Sequence, residues 1–269
     1  MNSTPPFEKE NVAVVTGAAS GIGRAMAERF AAEGMQVVLA DVEETPLAQV
    51  EASLTAAGAT VIAVKTDVSN AADVENLAQQ TLDAFGAVHI LCNNAGVVCS
   101  RPVWEHSLAD WEWVLGVNLW GVIHGIRAFV PRMLAQKTEC HIVNTASILG
   151  VVGGAGEGIY KVSKHGVVVL SETLAAELAQ KGAKIQVHVL CPGWVRTGIL
   201  DSERNRSQST SAPQIGSSRK ARAEMEAGLA PAEVAEHVYH AIQNGDFYIF
   251  THPEMKAQVQ ERMERILSA

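Results

Sequence analysis

Aromatic residues are scarce in this 269-residue chain, at 5%, and its four cysteines form no CxxC pair. With nearly half of the residues hydrophobic, the first scarcity implies an aliphatic core, which a chain of this length can bury without covalent staples. Cys92, Cys140 and Cys191 stand at or near the ends of strand-like runs and suit small buried hydrophobes, so neither a disulfide framework nor a zinc knuckle is expected. Positive charge is also short: 21 Lys and Arg against 29 Asp and Glu leave a formal net charge of −8. The basic residues are scattered, which argues against neutralising a phosphate backbone and so against a nucleic-acid partner. No apolar run approaches the length of a bilayer span, and MNSTPPFEKE lacks the basic-then-apolar order of a leader. His106, His124, His165 and His188 share no spacing with Cys or carboxylates that would hold a metal. A cytoplasmic protein is expected, with no metal, no membrane and no nucleic acid among its partners.

What the sequence does contain is alternation. Short β-branched runs at 11–16, 36–41, 60–65, 88–92, 140–146, 185–191 and 247–250 read as strands, most apolar on successive positions as in strands covered on both faces. Longer helical patterns lie between them, several ending at a glycine (Gly34, Gly58, Gly86, Gly182) where a helix C-terminus is expected. This order predicts an α/β fold, a doubly wound parallel sheet of about seven strands with helices on both faces, in a single domain over 1–269. The polar stretch 200–220 interrupts the rhythm; we read 195–228 as a mobile substrate lid, because long irregular loops in compact domains are usually functional or disordered.

The first strand runs into Thr16-Gly17-Ala18-Ala19-Ser20-Gly21-Ile22-Gly23 and then a helix. Glycines there allow a tight turn and close approach to a pyrophosphate, and the helix N-terminus offers free N–H groups. Asp41, ending the second strand, is placed to bind adenosine ribose hydroxyls and to repel a 2′-phosphate. Neither Ser20 nor Val42 is basic, so NAD is expected in preference to NADP. Asp67-Val68 and Asn94-Ala95-Gly96 follow the third and fourth strands, at the sheet edge where ligands of open α/β sheets bind.

These residues, together with VNLWG around Asn118, Ser147, YKVSK from Tyr160 to Lys164 and CPGWVRTGI from Cys191, occur in an order that resembles the compact short-chain dehydrogenases/reductases. The resemblance covers about 11–250. It implies a Rossmann-type fold and an NAD(P)-dependent oxidoreductase interconverting a secondary alcohol and a ketone, with Asn118, Ser147, Tyr160 and Lys164 as the catalytic set. It assigns cofactor contacts to Gly17, Ser20, Gly21, Ile22, Gly23, Asp41, Asp67, Val68, Asn94, Ala95, Gly96, Tyr160, Lys164, Pro192, Gly193, Val195 and Thr197. It further implies a homodimer or homotetramer built on the two long helices.

In that reading Tyr160 is the general acid/base, and the ammonium of Lys164, one helical turn on, together with the positive nicotinamide ring lowers its pKa. Ser147 holds the substrate oxygen, and Asn118 holds a water that relays protons from Lys164. Ser147, Leu149, Gly154, Tyr160 and Trp194 are the expected substrate contacts, within an apolar wall that includes Val97, Val98, Ile148, Val151, Val152 and Leu200. An apolar wall with few polar anchors suits an alcohol or ketone with a hydrophobic body. Glu157 is expected in the first turn of the Tyr160 helix as a complement to its dipole, in preference to recognising a polar group of the substrate. The alternative function is a catalytically silent nucleotide-binding sensor, which would be expected to lose Ser147, Tyr160 or Lys164.

Overall fold

A computed structural model describes residues 6–206 and 218–268. Seven parallel strands form one sheet in the order β3-β2-β1-β4-β5-β6-β7. They are β1 (Val12–Thr16), β2 (Gln36–Asp41), β3 (Val61–Lys65), β4 (Ile90–Asn93), β5 (Cys140–Thr145), β6 (Ile185–Cys191) and β7 (Tyr248–Phe250). All five residues of β1 and all six of β5 are buried, which is why these runs carry apolar residues without alternation.

Helices cover both faces. Helices α1 (Gly21–Ala32), α2 (Glu44–Ala56) and α8 (Pro231–Asn244) enclose one core around Met26, Phe30, Leu39 and Val238. On the other face α3 (Ala71–Phe85), α5 (Gly121–Gln136) and α6 (Gly158–Gln180) enclose Leu77, Leu91, Phe129 and Met133. The four expected helix-ending glycines all have left-handed φ. Neighbouring strands β1 and β4 are not consecutive in the chain, so the connections leaving them run to opposite sides. A crevice opens there beyond their carboxyl ends.

Helix α4 (Leu108–Leu115), a π-helical turn at Gly116–Trp120 and α5 run on as one element. Its 29 residues include a window of mean hydropathy 1.3, long and apolar enough by length and composition to cross a membrane. This corrects the expectation that no apolar stretch approaches the length of a bilayer span. Here the apolar stripe (Val114, Val122, Phe129, Met133) is buried in the core, while Arg132 on the outer side pairs with Glu75. Of the four tryptophans from Trp104 to Trp120, Trp104 is 84% exposed and Trp120 51%. Trp111 and Trp113 pack against the cluster of Val97, Cys99, Val114 and Ile159.

Two elements were not anticipated. The polar stretch begins as a 3-10 turn at Ile199–Asn205 and leads, past residues 207–217, which lie outside the described ones, to α7 (Arg219–Ala227). The chain ends in α9 (Lys256–Leu267), which has no buried residue; Arg262 ties it to the Val151 carbonyl at 3.1 Å.

Candidate active site

The crevice holds a cavity of about 750 Å³. At its β1–β4 floor, Thr16 Oγ1 accepts from the backbone N–H of Asn94 (2.9 Å) and Ala95 (3.1 Å), and Asn94 Nδ2 donates to the Thr16 carbonyl at 2.9 Å. Gly17 has φ +68°, and a Cβ there would stand 3.0 Å from the Ala95 Cα, so only glycine leaves this cradle open. Ser20, Gly21 and Ile22 line the cavity where α1 begins, and the Ser20 side chain caps no N–H. Gly23 does not line it. A Cβ at 23 would meet the Gly17 carbonyl at 2.2 Å, so this glycine serves the close packing of α1 on the turn.

Asp41 faces the same space. Its carboxylate accepts from the N–H of Ala19 and of Glu43, each at 3.0 Å, and burial pushes its pKa up. Asp67 and Val68 line the cavity as well, with the Asp67 carboxylate turned to Ser69 at 2.7 Å and 2.9 Å. An open cradle, a helix N-terminus and a fixed carboxylate beyond it fit the pyrophosphate and ribose of a dinucleotide. Asn94, Ala95, Gly96, Pro192, Gly193, Val195 and Thr197 continue this wall.

At the far end the structure brings Ser147, Tyr160 and Lys164 together. Ser147 follows β5 and caps a short 3-10 turn, accepting from Leu149 N at 3.1 Å. Its hydroxyl also donates to the Pro192 carbonyl (3.4 Å), and it shares the cavity wall with Tyr160. Lys164, one turn along α6, is 2% exposed and donates to the Thr145 carbonyl at 2.7 Å. Its Nζ lies 5.6 Å from the Tyr160 ring centre.

The expectation that Lys164 depresses the tyrosine is not met by the protein's own groups. Burial pushes Tyr160 up to about 12, the Ser147 hydroxyl pulls it down, and Glu157 raises it further. Burial also pushes Lys164 down to about 8. Desolvation of both groups outweighs their proximity.

Asn118 does not line the cavity. It sits fully buried in the π-helical turn, where Oδ1 accepts from Val97 N (2.8 Å) and Nδ2 donates to Val97 O (2.9 Å) and Ser163 Oγ (3.1 Å). Both amide donors are therefore spent. It stands just behind Gly96, where an added Cβ would lie 3.5 Å from Asn118 Oδ1 and 3.6 Å from Lys164 Nζ.

Leu149, Trp194, Val97, Val98, Ile148 and Leu200 form apolar wall as expected, whereas Gly154, Val151 and Val152 lie off the cavity. Gly154 turns away because its carbonyl is held by Lys161 at 3.1 Å. Glu157 is not inside the first turn; it is the N-cap, in left-handed conformation, and it lines the cavity.

Several lining residues escaped the sequence reading. Arg204 forms a two-pronged pair with Glu43 (2.9 and 2.8 Å), across 161 positions of chain. Ser202 is buried, accepting from Val98 N at 3.0 Å and donating to Val98 O at 3.3 Å. Arg206 is not in the cavity wall, but it meets Asp110 at 2.6 Å and lies 5.1 Å from the ring centre of Trp113, which is. No local pattern signals contacts this distant.

Cys99, His106 and Asp110, with no metal-binding spacing, nonetheless place one potential ligand atom each within 4.8 Å of the others. Their chemistry is already engaged: Asp110 takes the Ser107 N–H (2.8 Å) and the Arg206 guanidinium, and burial pushes the Cys99 thiol up. The guanidinium supplies the positive charge that a cation would bring.

Residues 11–208 match the family described as short chain dehydrogenase. Among solved structures, a short chain dehydrogenase/reductase from Burkholderia phymatum in complex with NAD is 47% identical, with a TM-score of 0.95 over 98% of this chain and 96% of that one. A 1-deoxy-11-beta-hydroxypentalenate dehydrogenase of Streptomyces exfoliatus is 38% identical over 94% of this chain and 87% of its own length. A CLA biosynthesis dehydrogenase/reductase of Lactiplantibacillus plantarum is 32% identical over 97% and 94%.

Proposed function

The chain belongs to the short-chain dehydrogenase family and is an oxidoreductase acting on CH–OH groups, and on that premise we propose that it interconverts a secondary alcohol with an apolar body and its ketone, with NAD preferred over NADP. One observation carries the reading: Ser147 and Tyr160 line the same cavity, with a buried ammonium, that of Lys164, one helical turn from the phenol. Preference for NAD is supported by Asp41, whose carboxylate two backbone N–H groups hold against the cavity, and by the NAD complex of the Burkholderia relative.

Gly17, Ser20, Gly21 and Ile22 would hold the pyrophosphate and Asp41 the adenosine ribose. Bound NAD supplies the hydride acceptor and a positive ring that favours the phenolate. Ser147 would fix the substrate oxygen, since its hydroxyl can donate and accept. Tyr160 would take the carbinol proton in oxidation and return it in reduction. Lys164 would keep positive charge beneath Tyr160, and Asn118 would act behind it, bracing Val97 and Ser163. The described parts of the segment 195–228 would cover the substrate, with Arg204, Ser202 and Arg206 as attachments.

Absorbance at 340 nm tests this with secondary alcohols, NAD and NADP in parallel. Activity with NAD is expected, and Tyr160→Phe should bind NAD normally yet lose about a thousandfold in kcat. Retained turnover in that variant would remove Tyr160 from the mechanism.

A further inference from the structure

Within the apolar substrate half of the cavity, Glu157 is a charge that the reaction does not use. It is the N-cap of α6, at φ 48° and ψ 42°, three residues before Tyr160. Left-handed backbone costs a residue with a Cβ roughly 1–2 kcal/mol and is ordinarily left to glycine or asparagine. The side chain does not cap the helix it begins, and among the described residues its carboxylate has no hydrogen bond or ion pair.

The natural partner would be Lys161, four residues on, in the Glu-before-Lys order that helices favour. Lys161 is engaged elsewhere. Its ammonium donates to the carbonyls of Gly154 (3.1 Å), Ala155 (2.9 Å) and Gly156 (2.8 Å), one bond for each of its three N–H groups. Those bonds also tie down the loop that delivers Glu157 into its strained conformation. The outcome is a half-buried glutamate on the cavity wall with Ser147, Leu149 and Tyr160, its carboxylate deprived of its helix partner. It is near enough to Tyr160 for its charge to be felt there. Strained, uncompensated groups of this kind gather at functional sites.

We propose that Glu157 is a specificity-determining residue that receives a hydrogen-bond donor of the substrate, a hydroxyl or ammonium group carried within a few bonds of the carbinol carbon. The inference rests on the alcohol–ketone reading above and narrows its substrate class to apolar secondary alcohols bearing such a neighbouring donor. A hydrogen bond to an ionised acceptor is stronger than a neutral one. A substrate without the donor desolvates the carboxylate and offers nothing in return, which is how a polar anchor discriminates.

The test compares 1-phenyl-1,2-ethanediol and 2-amino-1-phenylethanol with 1-phenylethanol, using NAD and absorbance at 340 nm. Each donor-bearing alcohol is scored as its kcat/KM divided by that of 1-phenylethanol, in the wild type, Glu157→Gly and Glu157→Gln. Glycine tolerates the left-handed position, so the first variant removes the carboxylate without adding strain. For at least one donor-bearing alcohol the wild-type ratio should exceed one and fall about tenfold or more in Glu157→Gly, chiefly through KM. The glutamine variant separates the two donors: it should retain more of the hydroxyl ratio than of the ammonium ratio. A smaller fall, or an equal loss for all three alcohols, overturns the proposal. A wild type that oxidises 1-phenylethanol but gains nothing from either donor overturns this inference alone. A wild type that oxidises none of the three overturns the substrate reading and the inference together.

Discussion

Lys164 is a cation 2% exposed whose ammonium is met by a backbone carbonyl, that of Thr145, at 2.7 Å. Burial holds it near 8, against 10.5 for a free lysine. Between those values the unfolded chain carries a proton that the folded one lacks, so stability should rise with pH. Tyr160 acts in the opposite sense from pH 10, because its folded value lies near 12 and the unfolded phenol ionises first. Four buried thiols whose pKa values burial raises act against this between pH 8 and 10, so the lysine is read as a difference: the slope of stability against pH in urea melts should be lower in Lys164→Met than in the wild type by up to one proton. An unchanged slope would mean that Lys164 keeps its proton throughout. The Tyr160–Lys164 spacing was legible in the sequence as one helical turn. Its energetics were not, because desolvation depends on what the fold stacks over both groups.

At the scale of elements, the turn Ile199–Asn205 and the residue after it span the cavity as a strap with three attachments. Arg204 reaches Glu43 after β2, Ser202 pairs with the Val98 backbone, and Arg206 reaches Asp110 on α4. The sequence showed only a polar, aperiodic stretch and suggested a lid. Its described part carries a buried serine and a nearly buried ion pair, because charge in this stretch has specific partners on distant elements. Asp110 is 1% exposed and Arg206 12%. Removing one partner of such a pair leaves the other charge buried and uncompensated. Arg206→Ala should lower stability by about 3 kcal/mol in urea unfolding and raise the KM for substrate by loosening the strap over Trp113. A loss of well under 1 kcal/mol would show that water replaces the guanidinium at no cost.

For the whole molecule, the outer faces of the long helices leave apolar side chains in solvent: Leu108 at 80%, Trp120 at 51%, Val162 at 51% and Val169 at 60%. Val162 and Val169, two turns apart, share one face of α6. We expect these faces to pair copies of the chain, giving a dimer or tetramer in sedimentation velocity. Val169→Glu, which places a charge in that face, should shift the distribution to monomer. A wild-type monomer at micromolar concentration would refute the pairing.

What the sequence determined by itself is whatever local order encodes. Seven apolar runs with helical patterns between them specified the parallel sheet. Gly17, Asp41, Asn94, Ser147 and Tyr160 each stand at a strand end or first helical turn, so placing the elements placed these side chains at one edge. The tertiary structure decided the rest, through groups far apart in the chain or whose partners depend on packing. Only the fold shows that both donors of the Asn118 amide are spent on Val97 and Ser163, that Gly23 serves packing, and that Arg204 finds Glu43. Glu157 is the sharpest case: sequence offers Lys161 as its partner at helical spacing. The loop carbonyls take Lys161 first, and the carboxylate is left to the cavity, because a three-fold hydrogen-bonded ammonium has nothing further to donate.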